Sequence, residues 1–591
     1  MRVASRGIGF LSNVEFTGML TAMLFSGLYR YDEHYEPVPD LADGPCDIGD
    51  GGLSIRCRIR SATFHDGSPV TASDVALGFE LLRRPTCQFW TFDCRVTKLV
   101  GVEIEDDRTI AFRLSEPDPE FMTVRLPTVL VQPRIQVEAS FERLRAAAGD
   151  TDPDGLDRTT SGLAEALDAE DADCAAVVDG PERVAIEAGY KPWSRDEFNS
   201  GTGGSFDPCE YGWFIHDRLR DLETTLRSDG LDAMAAAFPL LDINRAPIGT
   251  GPFRFESLDP GVEMRLLANE AYHHGRPAID AVDVVPSWDD DRLIEAARDG
   301  ALDLWLGQDW WDPDRDVVDA VRRVPAVKVM ATPTFGYDAL MLNVRSGRLL
   351  SDVRLREALE VCFDKAATVD AATRGQGMPI DSYVPTGSWA YQADLEVRRR
   401  DVDAGRALIE SAGFSLGDDG IFRTGDRRFS FEVLVREPWE SDRRKFLELM
   451  ALQVRDCGIE LIPTTVAFDE IVEIVDPARP TPPDVDAVFG GFFVTYDPDD
   501  PMWRTGNNWV GYSSAEVDSL LDEGRSTTDL AERARIYKRL QTVLAEDRPF
   551  IFAYTLSAHV IVSRAVGQRD GELDLTTPRW WWRLEDLTLT R

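Results

Sequence analysis

Residues able to do chemistry are plentiful in this chain, but few stand at spacings that would let them act together. His273 and His274 are the only adjacent histidines, and no CxxC occurs. Neighbouring positions lack ligand spacing for zinc, so the residues predict no metal site. No GxxxxGK[ST], HExxH or GxSxG is present either, which speaks against phosphate-cradling, zinc-hydrolase and serine-hydrolase chemistry. The stretch 140–240 is rich in Asp and Glu, yet no positioned acid–base pair can be named there, and such charge runs read as a solvated face. Cysteine is more informative. Cys46 and Cys57 flank a hairpin-like stretch with Gly49, Gly51 and Gly52, Cys87 and Cys94 bracket one short loop, and Cys174 and Cys209 bound an acidic, glycine-rich region. Three close pairs in loop-like settings predict disulfides and an oxidising compartment, with eight reduced thiols as the alternative. Cys362 and Cys457 sit in helix-like apolar patterns and read as buried free thiols.

The elements that must position these residues alternate in type. Residues 53–60 alternate apolar and polar as a half-buried strand. Thr71 to Val75 opens a helix, with Thr71 as N-cap and Asp74 at the capping-box position. Residues 100–105 and 109–114, joined by Asp106-Asp107-Arg108, read as a hairpin. Residues 140–240 form an acidic, partly helical insertion, with Gly201-Thr202-Gly203-Gly204-Ser205 as a flexible stretch. Further on, strands are expected at 282–286, 339–344, 429–435 and 459–463. Helices are expected at 290–299, 352–363 and 442–457. Alternation at this spacing predicts α/β architecture.

A chain of 591 residues is too long for one core, so at least two domains or lobes are expected. Its net charge is −40, from 104 acidic against 64 basic residues. A surface that acidic repels phosphate backbones, which argues against nucleic-acid partners. No apolar run is long enough to cross a bilayer. Residues 2–30 have neither an uninterrupted apolar core nor a small-residue cleavage site, so they do not read as a signal peptide.

Ala246-Pro247-Ile248-Gly249-Thr250-Gly251-Pro252-Phe253 is a glycine-rich crossing into a strand, followed by Asn269-Glu270-Ala271-Tyr272. Glycine serves such a crossing by positive φ and by letting chains approach closely. With five further motifs it resembles the family-5 extracellular solute-binding proteins, the receptors of ABC importers for peptides, nickel and oligosaccharides. The others are Leu24 to Asp32 with Pro37 to Ala42, Phe64 to Val75 (an FHDG-type motif), Leu350 to Leu359, Ile409 to Phe414, and Gly511 to Asp518. The resemblance implies a two-lobe, periplasmic-binding-protein-like α/β fold of the cluster-C type, with an extra subdomain in lobe I. Lobe I would comprise residues 1–32, 240–335 and 559–591, the extra subdomain 33–239, and lobe II 336–558. Ligand would be held between the lobes and favour the closed form.

The same resemblance nominates ligand-binding residues. Glu15 and Phe16 align near where family members contact the ligand backbone. Trp310, Trp311, Trp389, Tyr391 and Trp509 lie near loops expected at the cleft, where flat rings stack on sugars or cover apolar side chains. Tyr337 lies on a crossing strand, and Arg436, at a strand end, could meet a carboxylate. In peptide-binding members an aspartate shortly before a DP or EP pair neutralises the peptide α-ammonium. Here Phe493, Val494, Thr495 and Tyr496 precede Asp497-Pro498, with Val494 or Thr495 at that place. Burying an ammonium without a counter-charge is costly, which disfavours ordinary free-amine peptides. Asp497 itself reads as a structural cap. The implied function is an extracellular, monomeric receptor without enzymatic activity or cofactor, which binds an oligopeptide or oligosaccharide and hands it to ABC permease subunits. The alternative is a cytosolic ligand sensor on the same fold, although no basic DNA-binding segment is present.

Overall fold

The computed structural model describes all residues except 6–19, 89–93, 95, 97, 170–171, 193, 196–197, 199–205, 260–261, 287–289, 307–314, 334–335, 396–398, 437–440, 477–478, 480–482, 570, 572, 574–579 and 591. The chain forms two compact units, residues 1–330 with 559–591, and residues 331–558. Among the described residues no helix is long and apolar enough to cross a membrane.

Among the described residues the first unit is built on two larger sheets, beside the short strand pairs Tyr29–Tyr31 with Pro37–Pro39 and Val566–Gln568 with Leu587–Leu589. One is antiparallel, in the order Asp47–Gly49, Ser54–Arg58, Thr109–Leu114, Leu99–Asp106. The helix Ala72–Leu82 covers it, opened by the expected capping box of Thr71 and Asp74. Phe79 of that helix packs against Phe112 of the sheet (4.5 Å) and Phe121 (5.5 Å). Burying side chains of this size contributes about 2 kcal/mol each. The other sheet is mixed. Arg2–Ser5 lies parallel to Ala281–Pro286 on one side and to Leu304–Leu306 on the other, and Glu263–Ala268 and Phe253–Asp259 extend it antiparallel.

The acidic stretch folds into the helices Arg134–Ala148, Pro153–Leu167, Cys174–Glu187, Pro208–Arg227 and Gly230–Ala237. Several of its aspartates have a local role. Asp152, Asp173 and Asp207 each accept a backbone N–H at a helix start, where negative charge also suits the helix dipole. Leu156, Leu163 and Leu167 face Tyr211, Ile215 and Leu219 in a common core at helical spacing. A Cβ on Gly212 would meet Leu167 at 2.7 Å, so glycine permits this close helix pairing.

The second unit is built on a mixed sheet ordered Glu460–Val466, Ser430–Arg436, Ala487–Phe493, Gly336–Leu342, then residues 550–554 of the strand Phe550–Ser563. The first three strands are mutually parallel, and the helix Ser441–Val454 connects the first two of them in sequence. Helices flank mixed sheets in both units, which is the α/β class expected.

All eight cysteines are paired, as Cys46–Cys57, Cys87–Cys94, Cys174–Cys209 and Cys362–Cys457. The first three match the expectation. The fourth corrects the reading of Cys362 and Cys457 as free thiols. One ends the helix Val353–Val361 and the other lies in the turn Arg455–Cys457. Both are fully buried, so their apolar surroundings gave the same pattern that free thiols show. Gly405 leaves the room they need, since a Cβ there would sit 2.3 Å from the Cys362 sulfur.

Candidate functional site

The glycine crossing in the first unit is a junction of motifs. A Cβ on Gly249 would stand 1.9 Å from the Leu24 carbonyl oxygen, and one on Gly251 would stand 2.5 Å from that of Met23. Neither glycine has positive φ, so close approach alone, and not left-handed backbone, requires them. His65 binds the crossing from the other side. Its Nδ1 accepts the Gly249 N–H (3.2 Å) and its Nε2 therefore donates to the Gly251 carbonyl (3.1 Å). The Asn269 amide donates to the same carbonyl at 3.0 Å. Burial pushes the His65 imidazole down to a pKa of about 4, which keeps it neutral and in this tautomer.

The sequence-nominated residues of the second unit fall into two sets. Tyr337 is buried, stands opposite Phe492 across the strand pair, and packs edge-on to Phe552 at 5.4 Å. Its hydroxyl is buried with no hydrogen-bond partner among the described residues. Trp389 is buried with the Arg533 guanidinium 5.6 Å from its ring centre. Trp509 is buried too, and its carbonyl accepts from Arg345. These two tryptophans thus serve the packing of their own unit and offer little exposed face for stacking. Tyr391 is half-buried, Phe493 is 46% exposed at its strand end, Thr495 is exposed and Tyr496 half-buried. Arg436 is half-buried with its guanidinium 4.0 Å from the ring centre of Phe468. Glu15, Phe16, Trp310 and Trp311 lie outside the described residues.

The acidic residues that follow Tyr496 are already engaged. Asp497 makes a bidentate pair with Arg533, at 2.6 and 2.8 Å, with both side chains about 1% exposed. Asp499 makes a second bidentate pair with Arg525, at 2.5 and 2.9 Å. Asp500 caps the turn Pro501–Trp503. Thr495 donates its hydroxyl to the Asp497 carbonyl at 2.7 Å. Asp497 is therefore structural, as expected, but as half of a buried ion pair. Sequence reasoning missed both arginines, because partners 36 and 26 residues away leave no local signal. It also missed Asp338, a buried carboxylate paired with Arg443 at 2.5 Å beneath Gly491, where a Cβ would collide with both.

In the first unit, Asp40, His273 and His274 come together. Asp40 Oδ1 accepts from Nε2 of His273 (2.7 Å) and of His274 (2.8 Å). Burial works against the Asp40 charge, but the bonds from the two imidazoles, helped by Arg30, hold its carboxyl well below the usual range. Burial also pushes the His273 imidazole down. Spacing along the chain could not show this grouping, since the carboxylate comes from 233 residues away.

The decisive comparison is with family models. That of the bacterial extracellular solute-binding proteins, family 5, matches residues 36–162 and 227–513. The chain belongs to this family. Family-5 members are substrate-binding components of ABC importers and not enzymes, as the sequence implied. The family-5 model leaves residues 163–226 unmatched, within the acidic helical insertion. Among relatives, the oligopeptide-binding protein AppA of Bacillus subtilis is 25% identical over 352 residues, 57% of this chain and 62% of AppA. The dipeptide-binding protein of Escherichia coli is 23% identical over 57% of this chain and 61% of its own length. The matched stretches thus span less than two thirds of these relatives. Solved family-5 structures share the fold. HbpA2 of Haemophilus parasuis superimposes with a TM-score of 0.69 at 16% identity, covering all of both chains. Bacillus subtilis AppA in complex with a nonapeptide gives 0.58 at 19% identity, covering 100% of this chain and 99% of AppA.

Proposed function

We propose that this chain is the extracellular, monomeric receptor of an ABC importer and that it captures peptide-like solutes without an ion pair to their amino terminus at residues 494–497. It then delivers the solute to permease subunits. Relatives named for oligopeptide and dipeptide binding support the peptide class. The observation that carries the finer reading is the engagement of Asp497 by Arg533 and of Asp499 by Arg525, next to an uncharged Val494 and Thr495. A buried ammonium needs a carboxylate, and the two at residues 494–499, Asp497 and Asp499, are each already paired with an arginine. Phe493, Thr495, Tyr496, Tyr391 and Arg436 are the side chains proposed to meet the solute. Four disulfides suit action outside the cytoplasm.

Calorimetric titration with peptides of two to nine residues, each free and N-acetylated, tests this, with oligosaccharides as a further arm. Acetylation is expected to change Kd by less than about tenfold, that is by less than about 1.4 kcal/mol. Binding of free-amine peptides that acetylation abolishes would overturn the finer reading. Binding of oligosaccharides alone would overturn the peptide class.

A further inference from the structure

We propose that Asp40, His273 and His274 form a zinc site in the first unit, separate from solute capture. The carboxylate oxygen and the two Nε2 atoms lie within 4.8 Å of one another, brought from two segments 233 residues apart. Adjacent imidazoles normally diverge, yet here both aim Nε2 at one carboxylate oxygen. Their rings stand 4.6 Å apart, and the Tyr272 ring packs against both, at 4.6 and 5.6 Å, fixing their orientation. Two neutral imidazoles and one carboxylate form a three-ligand set of the kind zinc takes with a water in the fourth position.

Little movement is needed. Zinc bonds of about 2.0–2.1 Å at tetrahedral angles place ligand atoms about 3.3 Å apart, so the contacts of 2.7 and 2.8 Å must open by about 0.5 Å each. Each imidazole can free its Nε2 for the metal by carrying its proton on Nδ1 instead. The His274 side chain is 21% exposed, against 3% for His273 and 5% for Asp40, and supplies the way in and the place for water. Arg30 lies near Asp40, but its guanidinium is engaged by Glu585 at 2.6 Å. The net charge of −40 draws cations to the molecule. Zinc here would tie the segment after the strand Pro37–Pro39 to the turn after Asn269.

The test is titration of zinc chloride into the chelator-stripped full chain, with cobalt(II) absorption reporting coordination number. One zinc per chain, a four-coordinate cobalt spectrum and a raised melting temperature are expected. His274→Gln and Asp40→Asn should each weaken zinc by more than the roughly 10–100-fold that loss of an outer-shell partner costs. His274→Gln keeps a hydrogen bond to Asp40 at the most exposed position, so its metal-free melting temperature should match that of the parent chain. Absence of stoichiometric zinc, or equal affinity in His274→Gln, would overturn the site.

Discussion

Replacing Asp497 with asparagine removes one charge from a pair whose side chains are each about 1% exposed. Arg533 then keeps its position through the Gly524 carbonyl at 3.1 Å, but its charge has no counter-ion. Two charges about 4 Å apart at an effective dielectric of about 20 interact by about 4 kcal/mol. That agrees with the roughly 3–5 kcal/mol lost when one partner of a buried pair is removed. The unit concerned, residues 331–558, has about 230 residues. At about 2–4 °C per kcal/mol for that size, its melting temperature should fall by about 8–16 °C in scanning calorimetry. The double variant Asp497→Leu with Arg533→Met, which removes both charges and fills similar volume, should recover most of the loss. Below its melting temperature, Asp497→Asn should bind solute as the parent chain does. A fall of less than about 3 °C together with loss of solute binding would refute the reasoning, because Asp497 would then be facing the solute and not Arg533.

Two further outcomes follow from buried groups. His65 has a folded pKa of about 4 against about 6.5 unfolded, with Asp66 and Arg254 as its charged neighbours. The unfolded chain therefore binds the extra proton between those values. His65 lowers stability as pH falls from about 6.5 to 4, by about 3 kcal/mol in all. The difference in urea midpoint between the parent chain and His65→Gln should change over that window, and parallel pH profiles would sink the assignment. For the cysteines, denaturation and alkylation without reductant should label none of the eight. Cys362→Ala with Cys457→Ala should destabilise the second unit by about 4–5 kcal/mol, since the bond closes a loop of 95 residues. Labelling of Cys362 and Cys457 in the unreduced chain would show that bond to be absent.

Elements whose determinants are local were legible. The hairpin expected at 100–105 and 109–114 is the pair Leu99–Asp106 and Thr109–Leu114, because the alternation and the turn lie within one stretch. The helix expected at 352–363 is Val353–Val361, with Asp352 as the N-cap that accepts the Arg354 N–H. Contacts between distant segments were not legible. Cys362 and Cys457 lie 95 residues apart, Asp40 and His273 lie 233 apart, and Arg533 reaches Asp497 across 36. Hydrophobic period and turn chemistry describe which face of an element is buried, but not which polar group waits on that face.

The six motifs that identify the family turn out to be joints of the fold. In the first unit, His65 and Asn269 both bond to the Gly249–Gly251 crossing, against which residues 23–24 also pack. In the second, two motifs meet at the end of the helix Leu530–Asp547. Arg356 donates to the Asp547 carbonyl, and the Tyr512 hydroxyl donates to the Asp547 carboxylate at 2.6 Å. Gly413, at φ +87°, ends the helix Val402–Ser411 and lets Phe414 bond back to Ile409. Residues committed to such joints cannot also vary with the solute, since each substitution would cost the unit its stability before it changed any specificity. On the function proposed above, solute choice falls to side chains outside these joints, and residues 493–496, of which Phe493 and Thr495 are exposed, adjoin the joint that Asp497 makes with Arg533. That division is why the motifs report the family so clearly and the solute so poorly.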